Sequence, residues 1–404
     1  MKIGKIIMLS MIGVAAMVSC SEDELGNDNK EYGTLQPVVG TFPGEKIALS
    51  RAETTPAWYL YEELYPLSLE NEPTIGIFMT QGDVPMTDIS GKFVYRRDEL
   101  TKEPRWISDI AVEDGTVYNI FGYMSANNKS WDADIDPNGT YNNGAIMKLQ
   151  NLNVVTASDV SAVVGILKGN MDDSGHPDVM RETIDSKGKG YGSVTKESYL
   201  GSYNFVGEKN KNFIYLWLDH LYTCVNFELN MDDEYGELRI IKLKQVNLTV
   251  SAVKMYDVTV TLGTDNYNPI TSVTYDPTEG AATDTTSAVL FKNVDGKEIP
   301  KVSEGTRLNV PGYFAPVASF TGDTQTMEVT FTYDLYTVNS NGEKKLEAAG
   351  RTAKNTIKIG ELLKGKTLDR GKIFTVRATV QPSYLYMLAD EDLNNPVFRL
   401  EVEP

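Results

Sequence analysis

The stretch Val329-Thr330-Phe331-Thr332-Tyr333-Asp334-Leu335 alternates apolar and polar side chains without a break. On an extended chain, whose side chains repeat every two residues, Val329, Phe331, Tyr333 and Leu335 share one face and can enter one core. Phe374, Val376, Ala378 and Val380 repeat the pattern. Upstream, the runs at 238–243, 246–250 and 258–262 follow in quick succession, which predicts a meander or hairpins. In the first half, residues 74–79, 116–123, 162–167 and 213–218 are short β-branched or aromatic runs bounded by Gly, Pro, Asn and Asp. Helix signals are few, the best being a turn at 360–364. The expected fold class is all-β.

A chain of 404 residues exceeds one ordinary core and predicts two β-rich domains behind a processed leader. Hydrophobic residues make up 41% and charged residues 23%, enough apolar material to bury a core. The boundary is placed near residue 212, between the Gly/Lys/Asn-rich stretch 207–212 and the run from Phe213, giving domains at 52–212 and 213–404.

Lys2 and Lys5 precede an apolar run from Ile6 to Val18, followed by Met17-Val18-Ser19-Cys20. This reads as a signal peptide over 1–19 ending at a lipid-accepting Cys20, the alternative being an ordinary cleaved leader beside a chance cysteine. The run is too short for a transmembrane helix, so anchoring to the outer membrane is expected through acyl chains on Cys20. Residues 20–51 form a tether and propeptide. The tether opens on Ser21-Glu22-Asp23-Glu24, which resembles the surface-export signal of Bacteroidales lipoproteins; a plain solvated tether is the alternative. A candidate propeptide strand lies around Lys46 to Leu49. Arg51 before Ala52-Glu53-Thr54-Thr55-Pro56 is a candidate protease site, cut between Arg51 and Ala52, or a plain loop arginine. With Cys20 acylated, Cys224 has no intramolecular partner and is expected to be a small buried hydrophobe.

A formal net charge of -18 excludes nucleic acid as a partner, because phosphates would be repelled. Enzyme signals are poor. His176 lies in a polar loop and His220 in a strand, where a hydrogen-bonded core histidine is expected, and a triad from Ser174 and His176 is discounted because neighbours on one loop rarely align. Gly188, Gly190 and Gly192 mimic a phosphate loop but lack the lysine-serine pair and the following helix. Asp132, Asp134 and Asp136 evoke a calcium loop, yet Pro137 stands at the turn glycine and Asn143 at the bidentate glutamate, so a solvated loop competes with a cation site. No cofactor and no metal are expected. Trp58, Tyr59, Tyr61 and Tyr65 form an aromatic cluster that either binds glycan or protein or anchors the start of a sandwich.

Three further stretches carry a resemblance: Val117-Tyr118-Asn119-Ile120-Phe121-Gly122-Tyr123, ending in an aromatic-Gly-aromatic step; Leu218-Asp219-His220-Leu221-Tyr222-Thr223-Cys224-Val225-Asn226-Phe227; and Tyr235 with Arg239-Ile240-Ile241-Lys242-Leu243. In order, with the leader and Arg51, they resemble the Bacteroidales fimbrillin family, the type V pilins and their minor-fimbrium relatives. Cys224 departs from the basic residue more usual there. The resemblance implies two transthyretin-like β-sandwich domains, a surface arginine-specific protease acting at Arg51, other pilin subunits as partners, and polymerisation by strand exchange into a fimbrium at the cell surface. The candidate donor is the C-terminal alternation, with Phe398, Leu400 and Val402 on one face and Val397, Arg399 and Glu401 on the other. The same pattern also fits the last strand of its own domain. The rival functions are a monomeric surface lipoprotein that stays tethered and binds glycan or host protein, and a surface hydrolase.

Overall fold

The computed structural model describes residues 32–41, 45–46, 60–63, 74–81, 84–85, 91–100, 102, 104–124, 133–136, 146–166, 192–193, 204–206, 213–262, 270–317, 325–363, 367–383 and 390–402. Among them the chain is all-β, with only short helical pieces.

The largest sheet has eleven strands. Its path runs Gly192–Ser193, Leu60–Glu63, Gln36–Thr41, Phe213–His220, Ser161–Ile166, Val117–Met124, Thr74–Gln81, Gly91–Arg97 and Pro104–Ser108, with two short strands paired alongside. Val117–Met124 lies in the interior of this path, and Tyr118 to Tyr123 are all buried. A strand covered on both faces reads as a continuous apolar run, which is how this segment is written. Tyr118 and Ile120 pack into a first core with Ile75, Ile77, Phe93, Trp106 and Leu216, while Phe121 and Tyr123 turn to the second core. Gly122 is fixed by clearance, since a Cβ there would sit 2.2 Å from the Gly76 carbonyl oxygen and 3.1 Å from Ile77 Cδ1. The aromatic-Gly-aromatic step is therefore a steric requirement of this crossing.

The second core is enclosed by three sheets. A six-stranded sheet contains Thr223–Met231, Lys372–Gln381 and Val397–Val402; a four-stranded sheet runs Thr283–Glu298, Arg239–Val253, Thr326–Val338 and Lys344–Lys358; a second four-stranded sheet includes Ile146–Asn153 and Met255–Leu262. Val329, Phe331, Tyr333 and Leu335 face this core, as do Phe374, Val376, Ala378 and Val380, as the alternation requires. Helix Asp233–Leu238 is started by Asp232, whose carboxylate accepts from Tyr235 N at 3.0 Å, and acidic Asp233 and Glu234 suit its N-terminal turn. The turn expected at 360–364 appears as Ile359–Leu363.

The cores do not divide at residue 212. Phe213–His220 belongs to the first sheet, with Ile214, Leu216 and Leu218 in the first core, and the chain enters the second core at Leu221. In addition, Ile146–Asn153 already contributes Met147, Leu149 and Leu152 to the second core. A polar Gly/Lys/Asn stretch signals a loop, but a loop can join two strands of one sheet as readily as two domains.

Gly122→Ala is expected to cost about 3 kcal/mol or more, because the colliding atom is backbone and the strand is covered on both faces. Urea unfolding of the variant against the parent checks it; an unchanged midpoint would contradict the clearance argument.

Candidate assembly site

Two edges decide what the fold offers to a partner strand. The first is the edge of Phe213–His220. Gln36–Thr41 lies parallel along it, in register from Gln36 opposite Phe213 to Thr41 opposite Leu218. Leu35 and Val39 drop into the first core and are 2% and 1% exposed, Pro37 is buried between them, and Thr34 and Gln36 point to solvent. Leu35 N donates to the Ile110 carbonyl at 2.9 Å, and Tyr32–Thr34 pairs antiparallel with Ala111–Glu113. On its far side Gly40 and Thr41 pair with Glu63 and Glu62, and among the described residues the Pro37 stretch has no strand there, which suits a residue that lacks an N–H.

The strand upstream of Arg51 that pairs with Phe213–His220 is thus Gln36–Thr41. Glu45–Lys46 is a separate short strand, parallel to Lys372–Ile373 in the six-stranded sheet, and 47–49 lie outside the described residues. Pro37 and Gly40 read as breakers in sequence, which hides the alternation of Leu35, Pro37 and Val39.

The second edge belongs to Lys372–Gln381. Val397–Val402 pairs antiparallel with it, from Gln381 opposite Val397 to Val376 opposite Val402. Phe398 is buried and stacks on Phe331, with ring centroids 4.6 Å apart and planes at 11°, while Tyr333 tilts against it at 5.3 Å. Leu400 is half-buried on the same face; Val397 is 40% exposed, and Arg399 and Glu401 form an exposed pair at 3.1 Å. The alternation is as expected, and here the strand completes its own domain as an edge strand. The residues before it are held firmly: Tyr235 Oη donates to the Leu393 carbonyl at 2.7 Å, Arg239 Nε to Asn394 Oδ1 at 3.0 Å and Arg351 Nη1 to Asn395 Oδ1 at 3.2 Å.

Between the edges lies a polar joint that sequence reasoning touched only at His220. His220 Nδ1 is 2.6 Å from Asp159 Oδ2, which also accepts from Ser161 Oγ. Arg370 Nη1 donates to Asp219 Oδ2 at 2.7 Å and to the His220 carbonyl at 3.2 Å, and Gly371 N donates to the Tyr222 carbonyl at 2.9 Å. The end of Phe213–His220 is thereby tied to the residues that lead into Lys372–Gln381. No signal along the chain pairs residues 159, 220 and 370; only the folded topology does. Nearby, burial pushes the Cys224 thiol up to about 12, with the Asp159 carboxylate adding to the shift, and burial holds the Tyr222 and Tyr313 hydroxyls well above their ordinary value.

Cys20, Arg51, Ala52, His176, Asp132, Trp58, Tyr59 and Tyr65 lie outside the described residues. Asp134 and Asp136 fall on strand Ala133–Asp136, paired with Ile146–Asn153, so the backbone there is a ladder and not the loop that a calcium site of the expected kind needs. Among the described residues no group of three or more His, Cys, Asp or Glu side chains is placed to hold a metal ion.

No protein-family model matches the chain, and no curated protein sequence does. Among solved structures it is similar to a cell-adhesion candidate from Bacteroides fragilis, with 11% identity over 93% of this chain and 98% of that one and a TM-score of 0.39. It is also similar to a fimbrial protein from Bacteroides vulgatus, with 12% identity, 93% and 100% coverage and a TM-score of 0.32. A third is the fimbrial anchor protein Mfa2 from Porphyromonas gingivalis, with 12% identity, 91% and 96% coverage and a TM-score of 0.22.

The shifted thiol and hydroxyls set an alkaline limit. Their folded-state values lie above the ordinary 9.0 for cysteine and 10.0 for tyrosine, so their contribution is complete below those values and is lost as pH rises through them. The urea midpoint is expected to fall steadily from about pH 9 upward as the unfolded chain ionises first. Iodoacetamide at about pH 8 should label Cys224 only after unfolding; rapid labelling of the folded protein would contradict the assigned burial.

Proposed function

We propose that the chain is a structural subunit of a surface fimbrium, exported as a lipoprotein through Cys20, cut between Arg51 and Ala52, and polymerised by strand exchange. The observation that carries this reading is the position of Gln36–Thr41. The strand that pairs with Phe213–His220 and buries Val39, together with Leu35 just before it, lies wholly upstream of Arg51. One cut at Arg51 therefore detaches it from the rest of the chain, leaving covalent continuity only from Ala52 onward. The vacated edge presents six residues of unpaired backbone and the seats of two apolar side chains, the condition under which a strand from another chain adds. Refilling those two seats is worth roughly 1.5 to 3 kcal/mol each, before ladder hydrogen bonds are counted.

The incoming strand in this reading is Val397–Val402 of another subunit, whose Phe398, Leu400 and Val402 alternate as Leu35, Pro37 and Val39 do. The other partners are an arginine-specific surface protease and the outer membrane, through the acyl chains on the precursor. The polypeptide works as scaffold and carries no catalysis.

One observation favours a second reading, a tethered monomer that binds glycan or host protein: Val397–Val402 is already seated in its own domain, with Phe398 stacked on Phe331. The mature N-terminus separates the two. Mass spectrometry of surface-extracted protein is expected to give Ala52 as first residue, with heat-labile ladders in detergent gels, and Arg51→Ala is expected to abolish the ladders. Wild-type protein that begins at acylated Cys20 and never forms higher species would overturn the fimbrial reading in favour of the tethered monomer.

A further inference from the structure

The segment upstream of Arg51 touches the second core as well as the first. After Thr41 it reaches Glu45–Lys46, which lies on Lys372 and Ile373. Ile373 is also paired with Cys224 on Thr223–Met231, so Lys46 must occupy the opposite edge of Lys372–Gln381. That opposite edge is the one that Val397–Val402 covers, from Val376 to Gln381. The two strands share it end to end. Glu45–Lys46 runs parallel to the edge and heads toward Phe374, whereas Val397–Val402 runs antiparallel and ends opposite Val376, heading toward Thr375. Their leading ends converge on Phe374 and Thr375.

The footholds of this segment are also joined to each other. One is Phe213–His220 and the other is the start of Lys372–Gln381, and these are tied by Arg370 to Asp219 and to the His220 carbonyl, and by Gly371 N to the Tyr222 carbonyl. Residues 32–41 and 45–46 thus hold footholds on the two strands that the polar joint ties together. An edge strand frays from its ends, and a neighbour that fills the adjoining edge positions keeps water and competing strands away from that end.

We infer that residues 32–46 are a two-point brace: the first point fills the slot on Phe213–His220, and the second caps the edge that holds Val397–Val402. Losing the brace uncovers Lys372 and Ile373, two residues short of the last pair of the C-terminal strand at Val376, and loosens that strand's hold. In combination with the fimbrial reading, on which the role of the cut rests, one proteolytic event opens the acceptor slot and frees the donor strand together. An uncut precursor is then closed at both ends, which keeps it from assembling before it is processed.

The coupling is testable without the cut. Hydrogen exchange followed by mass spectrometry compares the full-length chain carrying Arg51→Ala with the same chain carrying Lys46→Pro in addition, since proline removes an N–H from the second foothold. Amides of Val397–Val402 are expected to exchange about tenfold faster in the double variant, with Phe213–His220 unchanged. Faster exchange at Lys372 and Ile373 with none at Val397–Val402 would overturn the brace. If Lys46→Pro unfolds the chain, seen as lost protection at Phe213–His220, the comparison passes to cut wild type against Arg51→Ala at low concentration. There both Phe213–His220 and Val397–Val402 must lose protection, and loss at the first alone overturns the coupling. Protection retained at Phe213–His220 after the cut would instead contradict the slot reading, while the Lys46→Pro comparison still decides the brace.

Discussion

The backbone of Phe213–His220 cannot be left half-paired. Its N–H and C=O groups lie at the boundary of a well-packed core, and an edge that exposes them beside apolar seats will bind whatever strand is available. In this chain that side of the strand is satisfied by Gln36–Thr41, which lies upstream of Arg51 in the sequence. In the fimbrial reading we propose, cleavage at Arg51 releases that partner strand, and the same hydrogen-bonding demand then becomes an attraction between subunits.

The two cores communicate where the chain passes from one to the other, at His220 and Leu221. The His220–Asp159 contact and the Arg370 bonds hold two strand ends in fixed register, and buried Tyr222 and Tyr235, with half-buried Tyr275 and Tyr313, keep neutral hydroxyls near or within the second core. Tyr222, Tyr235 and Tyr275 donate to backbone carbonyls of Asn153, Leu393 and Leu221, so they act as struts between sheets as much as apolar filling. The C-terminal strand hangs from this frame: the residues before it are anchored by Tyr235, Arg239 and Arg351, and the strand itself is held by one ladder and by Phe398. In the fimbrial reading we propose, such an arrangement lets the strand detach while its base stays in place.

Much of this was legible in the residues. The alternations at 329–335 and 374–380 gave strand and face together, because period two leaves no other way to bury four apolar side chains on one side. The run 116–123 marked a strand, but its interior position and the clearance explanation for Gly122 came only with the folded sheet. The C-terminal alternation specified a half-buried strand but not its partner, and alternation never does. What stayed hidden was long-range. Pro37 and Gly40 disguised the strand that completes the first sheet, the loop at 207–212 looked like a linker when it joins two strands of one sheet, and the joint of Asp159, His220 and Arg370 brings together positions that no local pattern connects. Breakers and polar loops report local backbone preference, while sheet membership is set by packing between distant segments.

The most direct test of the central claim is competition for the vacated edge. A synthetic peptide spanning residues 32–46 is titrated into the full chain cut at Arg51, and melting temperature and polymer formation are followed together. The account predicts that the peptide raises the melting temperature in a concentration-dependent way toward that of the uncut chain and suppresses polymer, since a ligand that binds only the folded slot stabilises it by mass action. A cut chain whose melting temperature and assembly are indifferent to the peptide would contradict it.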